Sequence, residues 1–211
     1  MEKELEQVFE ETFDFLKNEY GFNALLSKRE DWGYYFTAIN STTGIEIKYE
    51  FREAFIQIVV YRLIDGEIVK NITNAIKNNE PITGFSLEWI LALKNPEAQI
   101  RPAYEYGIKS GFYEKESGLK NYASIVAERL KEYASDILKG DFSVFSILDR
   151  MVKENYKSHY QNNNIDPTGK LAIGSLIKKA GQAIKKSSKN GQTGSQESGN
   201  HRQKSGKTDS Q

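Results

Sequence analysis

From position 45 to position 52 apolar and polar residues alternate without a break: Ile45, Ile47, Tyr49 and Phe51 against Glu46, Lys48, Glu50 and Arg52. A period of two sends one set into a core and the other toward water, so this stretch reads as a strand with one buried face. Residues 24–28, 34–40 and 55–63 read as strands beside it. The last is more continuously apolar (Phe55, Ile56, Ile58, Val59, Val60, Tyr61), as a more buried strand should be. The links Asp31-Trp32-Gly33, Ser41-Thr42-Thr43-Gly44 and Arg52-Glu53-Ala54 are short. A parallel pair needs a crossover of about a dozen residues, so these strands must pair antiparallel. Asp65-Gly66 marks another turn, and residues 67–70 read as a fifth strand.

Helical spacing brackets this block. Leu5, Val8, Phe9, Thr12, Phe13, Leu16 and Tyr20 form one stripe, with Phe15 off it and Gly21 as the stop. Beyond Pro81, Phe85, Leu87, Trp89, Ile90, Leu91 and Leu93 predict a short helix capped by Ser86 and stopped by Asn95-Pro96. Tyr104, Tyr106, Phe112 and Tyr113 predict a loop packed by its aromatics. Leu119, Tyr122, Ala123, Val126, Leu130, Tyr133 and Ile137 make the stripe of a long helix starting at Ser117. Lys139-Gly140 ends it, and Asp141 is placed to cap a last helix carrying Phe142, Phe145, Leu148, Val152 and Tyr156. Segregated strands and helices predict an α+β fold, an antiparallel sheet of four to five strands packed against helices. The apolar stripes stop near 160, so residues 1–160 are expected to form a single domain.

Composition removes whole classes of chemistry. With Cys 0, no disulfide scaffold, thiolate metal site or cysteine nucleophile can exist. Of the two histidines, His159 falls at the very end of the expected domain and His201 beyond it, which argues against a His-based triad or a multi-His metal site. No phosphate-cradling glycine motif occurs, and neither Asp65-Gly66-Glu67 nor Gly140-Asp141 has the ligand spacing of a calcium loop, so neither cofactor nor metal is expected. The aromatics Trp32, Tyr34, Tyr35, Phe36, Tyr49, Phe51, Phe55 and Tyr61 are interleaved with mixed charges, which favours core packing over a nucleic-acid platform. The first residues are acidic and lack an apolar run, and no stretch approaches the roughly 18 residues of a membrane span. A cytoplasmic location is expected.

The formal net charge of +0 hides an asymmetry. Residues 168–211 carry Lys170, Lys178, Lys179, Lys185, Lys186, Lys189, Arg202, Lys204 and Lys207 against Glu197 and Asp209, a net +7, which leaves the rest at −7. Composition also breaks near 161. Residues 161–186 read as a linker bearing a cationic amphipathic helix, in which Ile173, Leu176 and Ile177 share a face while Lys178, Lys179, Lys185 and Lys186 supply charge. That pattern suits a helix lying on an anionic membrane surface, one held by a partner, or one folded back on the acidic domain. Residues 187–211 lack large apolar side chains and read as a disordered basic tail.

Among the carboxylates, Glu46, Glu50 and Glu53 form the most ordered row. It reads either as a solvated strand face with cross-strand pairs or as an acidic strip for a binding partner. A catalytic carboxylate pair is the remaining reading, though no nucleophile accompanies it.

At Tyr61-Arg62-Leu63-Ile64-Asp65-Gly66-Glu67, Phe85-Ser86-Leu87, Leu91-Ala92-Leu93-Lys94 and Leu138-Lys139-Gly140-Asp141-Phe142-Ser143-Val144-Phe145 the chain resembles small bacterial proteins of the toxin-immunity type, encoded beside polymorphic or contact-dependent toxins. The resemblance spans residues 1–157. Its motifs are a hairpin end and a helix–cap–helix joint, and they carry no catalytic residues. It implies a non-catalytic protein that binds and neutralises a cognate toxin, and a domain of net −7 suits a basic one. The tail departs from that pattern, leaving two alternatives: a membrane-associated adaptor acting through 169–186, or a small enzyme relying on carboxylates.

Overall fold

The computed structural model describes residues 2–112 and 117–163. Met1–Ser158 form one compact unit; His159–Gln211 form a second, described only as far as Asn163. The expected disordered tail over 187–211 lies outside the described residues, as does the segment 169–186.

The first unit is α+β, with the elements in the order α1 (Glu2–Tyr20), β1 (Asn23–Glu30), β2 (Gly33–Ile39), β3 (Thr43–Glu50), β4 (Phe55–Arg62), α2 (Ile72–Asn78), β5 (Gly84–Ser86), α3 (Leu87–Lys94), α4 (Gly118–Leu138) and α5 (Phe145–Asn163), the last belonging to this unit as far as Ser158. Leu5, Phe9, Phe13 and Leu16 bury the α1 stripe. Gly21 ends the helix at φ +68°, its N–H donating to the Lys17 carbonyl at 3.1 Å. The sheet is antiparallel throughout, in the order β1-β2-β3-β4-β5. Its registers stack Phe36, Ile47 and Ile58 in one row and Ala38, Ile45, Val60 and Phe85 in the next. Both rows face the helices. Tyr122, Val126, Leu130 and Ile137 of α4 close the core with Phe145, Leu148 and Val152 of α5.

The turn between β2 and β3 is a structural hub. Asn40 Oδ1 accepts from the Thr42 and Thr43 amides at 3.0 and 2.7 Å, while its Nδ2 donates to the carbonyls of Tyr20 and Leu138 at 3.1 and 3.0 Å. Thr43 Oγ1 donates to the Ile137 carbonyl at 3.0 Å. One polar turn thus satisfies orphan carbonyls at the ends of two helices. Gly140 follows the second of these at φ +91°, and a Cβ there would meet Thr42 Oγ1 at 2.6 Å, so the joint needs glycine twice over.

Several expectations are corrected. The fifth strand is Gly84–Ser86 beside β4, not 67–70. The chain after β4 makes only an isolated bridge, Ile64 to Glu67, and then crosses the outer face of the sheet. Gly44 creates the notch that admits it, since a Cβ there would come within 2.5 Å of Ile68 Cγ1. Phe85 accordingly belongs to β5 and not to the α3 stripe, and Ser86 makes no side-chain capping bond. Asp141 does not cap α5. Its Oδ1 accepts the Ser143 N–H at 2.9 Å, closing a turn before the helix begins at Phe145, and that bond lowers its carboxyl pKa. Helix α2 has no counterpart in the sequence reading; Ala75 is its buried contact. The loop before α4 folds into three 3-10 turns, with Tyr106 and Phe112 packed on Tyr122 at ring distances of 6.4 and 5.4 Å. Tyr104 is exposed, and Tyr113 lies outside the described residues.

Candidate functional site

Glu46 points to the sheet face opposite Ile45 and Ile47, as alternation requires, yet it is only 1% exposed. Lys48 Nζ lies 2.6 Å from one carboxylate oxygen and Lys70 Nζ 2.5 Å from the other. Lys70 also donates to the Tyr35 hydroxyl at 2.8 Å, and both ammonium groups stand over the Tyr35 ring, at 5.5 and 5.4 Å from its centre. Burial alone would raise the Glu46 pKa. Hydrogen bonds from Lys48, Lys70 and Tyr35 outweigh it and hold the carboxyl below its usual range. Burial likewise works against the charge on Lys70, and Glu46 with Tyr35 overcomes it, so the ammonium pKa is raised. The nearby Tyr61 hydroxyl is pushed up by burial and then by the Glu46 charge. Chemically, Glu46 is an anchor that is ionised at neutral pH. A general base needs a pKa near the working pH and a free lone pair, and both Glu46 oxygens face lysine.

The exposed acidic row Glu46, Glu50 and Glu53 is therefore corrected at its first member. Glu50, on the same strand face, is exposed. Glu53 sits in the β3–β4 turn beside Arg52, with 3.9 Å between charged atoms. Two carboxylates remain at this end of the sheet, with Arg52 and Lys48 close by in sequence.

The acidic surface lies instead on α1. This helix carries Glu2, Glu4, Glu6, Glu10, Glu11, Asp14 and Glu19 against Lys3 and Lys17, a net −5. Two of these carboxylates join α1 to α4: Glu11 pairs with Lys120 at 3.0 Å, and Glu19 pairs with Lys131. Glu6, Glu10 and Asp14 follow one another at helical spacing of four along another side and are exposed. Glu10 and Asp14 border a cleft of about 300 Å³ between α1 and the β1–β2 hairpin, and Glu6 lies one turn before it. Phe9, Phe13, Phe22 and Phe36 line its floor, and Glu10, Asp14 and Lys17 its rim. On the sheet side Ser27 Oγ and the Tyr34 hydroxyl are 2.7 Å apart. Burial raises the Tyr34 pKa, the Ser27 bond opposes this, and the charges of Glu6 and Glu10 add to the rise. Among the described residues the β1 strand is outermost in the sheet, with no strand beside its far edge.

Among the described residues no group of three or more His, Cys, Asp or Glu side chains is placed to hold a metal ion, and no helix is long and apolar enough to cross a membrane. The second set of expected site residues, Ile173, Leu176, Ile177, Lys178, Lys179, Lys185 and Lys186, lies outside the described residues. Compared with protein-family models, curated proteins and solved structures, the chain matches none.

The α1 signal was present in the sequence, where seven acids fall within nineteen residues. Counting charge over the whole domain spreads that signal thin. The partnership of Lys70 with Glu46 had no local signal, because the two are twenty-four positions apart.

Proposed function

We propose that this chain is a non-catalytic binding protein of the immunity type, which covers a basic toxin and so neutralises it. The observation that carries the reading is the concentration of exposed carboxylates on α1 beside an apolar cleft. A predominantly acidic surface next to a low-dielectric wall raises the local concentration of a basic partner and speeds its encounter. Apolar contact then slows release. The pairing of Glu46 on both oxygens speaks against a carboxylate enzyme centred on β3.

Co-expression tests the proposal. The toxin gene expected immediately upstream is induced in a bacterial host with and without this chain. Growth arrest that the chain relieves, together with a complex that weakens as salt rises, is the expected result. Arrest that persists at equal expression of the chain contradicts it.

A further inference from the structure

We infer that the cleft between α1 and the β1–β2 hairpin is the anchor site for a large apolar side chain flanked by lysine or arginine on a protein partner. This inference rests on the binding-protein reading and specifies its contact. Volume is the first argument. About 300 Å³ lies at the foot of the roughly 300–1,000 Å³ typical of small-molecule sites, which suits one or two inserted side chains better than a cofactor. The floor is the second. The half-buried Phe36 presents its ring over a firm base made by Phe9, Phe13 and Phe22, which are only 2%, 5% and 2% exposed, and apolar pockets of this kind take the buried anchors that dominate interface energetics. The rim is the third. Glu10 and Asp14 stand on it and Glu6 lies one turn before, so an apolar residue between cations is matched at its centre and at its flanks. An anionic segment meets repulsion there, which makes the rim a filter as well as an attraction. Lys17 closes the rim toward the C-terminal end of α1, so the cationic flanks fit toward Glu6 and Glu10.

The test titrates the full-length chain with a peptide in which Phe-Leu is flanked by two lysines on each side, using calorimetry at low ionic strength. A second peptide carries Ser-Ser at the centre. Ala24 lines the cleft and is exposed, so Ala24→Trp fills the space without invading the core. Glu10→Lys with Asp14→Lys reverses the rim at exposed positions and keeps the fold. Binding of the Phe-Leu peptide, weakened about tenfold or more by each variant and by the Ser-Ser exchange, is expected, since each removes one component of an anchored, charge-matched contact. Unchanged affinity in Ala24→Trp, equal affinity for Ser-Ser, or no binding at millimolar peptide overturns the inference. Growth rescue is scored in parallel. Rescue by the parent that survives both variants rejects the cleft and keeps the binding-protein reading, whereas failure of the parent rejects that reading itself.

Discussion

The carboxylates of β3 and those of α1 are both drawn from acid-rich, amphipathic stretches, yet the fold uses them in opposite ways. On β3, Glu46 is covered by the segment that follows β4 and is consumed by two lysines. On α1, Glu6, Glu10 and Asp14 stay in solvent beside a cleft. Periodicity reports which way a side chain points. Whether anything lies on top of it depends on a distant part of the chain, here the notch at Gly44 that seats Ile68 and brings Lys70 over Glu46.

The sharpest way to break this contrast is Glu46→Ala beside Glu50→Ala. Removing the buried anion strands two ammonium groups and releases the covering segment. Because both lysines can reach water, the cost falls at the low end for a broken buried pair, about 3 kcal/mol. The exposed Glu50 should change stability by less than about 0.5 kcal/mol. Urea unfolding of the two variants checks the difference, and equal costs would mean that Glu46 is not an anchor. A smaller loss is expected from Gly44→Ala. Its Cβ has to displace Ile68, and crowding of this kind costs about 1–2 kcal/mol. Proteolysis should then cut within residues 63–70 sooner than in the parent.

Acid sharpens the same point. The Glu46 carboxyl titrates below the usual carboxylate range in the folded chain, so the unfolded chain binds its proton first as pH falls. The stability it contributes is complete at neutral pH and is lost as pH drops through the folded value. As pH falls below about 5, the parent should therefore lose stability more steeply than Glu46→Gln. Parallel profiles in chemical denaturation would count against a charged Glu46.

How much of this was legible beforehand differs by element. Strands β1 to β4 agree with the reading of the sequence within two residues at each end, because period-two alternation and short links are local signals. The β5 strand was misplaced because Ile68-Val69 has local strand character, while the three residues that pair with β4 are chosen by non-local register, Val59 with Ser86 through Tyr61 with Gly84. Helix α2 escaped because only Ala75 of its seven residues is buried, leaving no stripe to find. Ser86 and Asp141 were sound choices of capping residue, but the chain geometry around them is set by β5 and by the Gly140 turn. For the candidate site, the outward direction of Glu46 was legible and its burial was not, since the cover comes from far along the chain.

The smallest effect on stability belongs to the reversals that bear most on function. Glu10→Lys with Asp14→Lys and Glu50→Lys with Glu53→Lys all change side chains that are exposed or half-exposed, so each pair should leave the melting temperature nearly unchanged. Their association rates with the purified toxin, followed by stopped-flow fluorescence over a range of salt, test the central claim that α1 and not β3 faces the partner. The α1 pair should slow association about tenfold at low salt, with the difference shrinking as salt rises, while the β3 pair binds at nearly the parent rate. A slow β3 pair beside an unaffected α1 pair would contradict the account and return the interface to the outer face of the sheet.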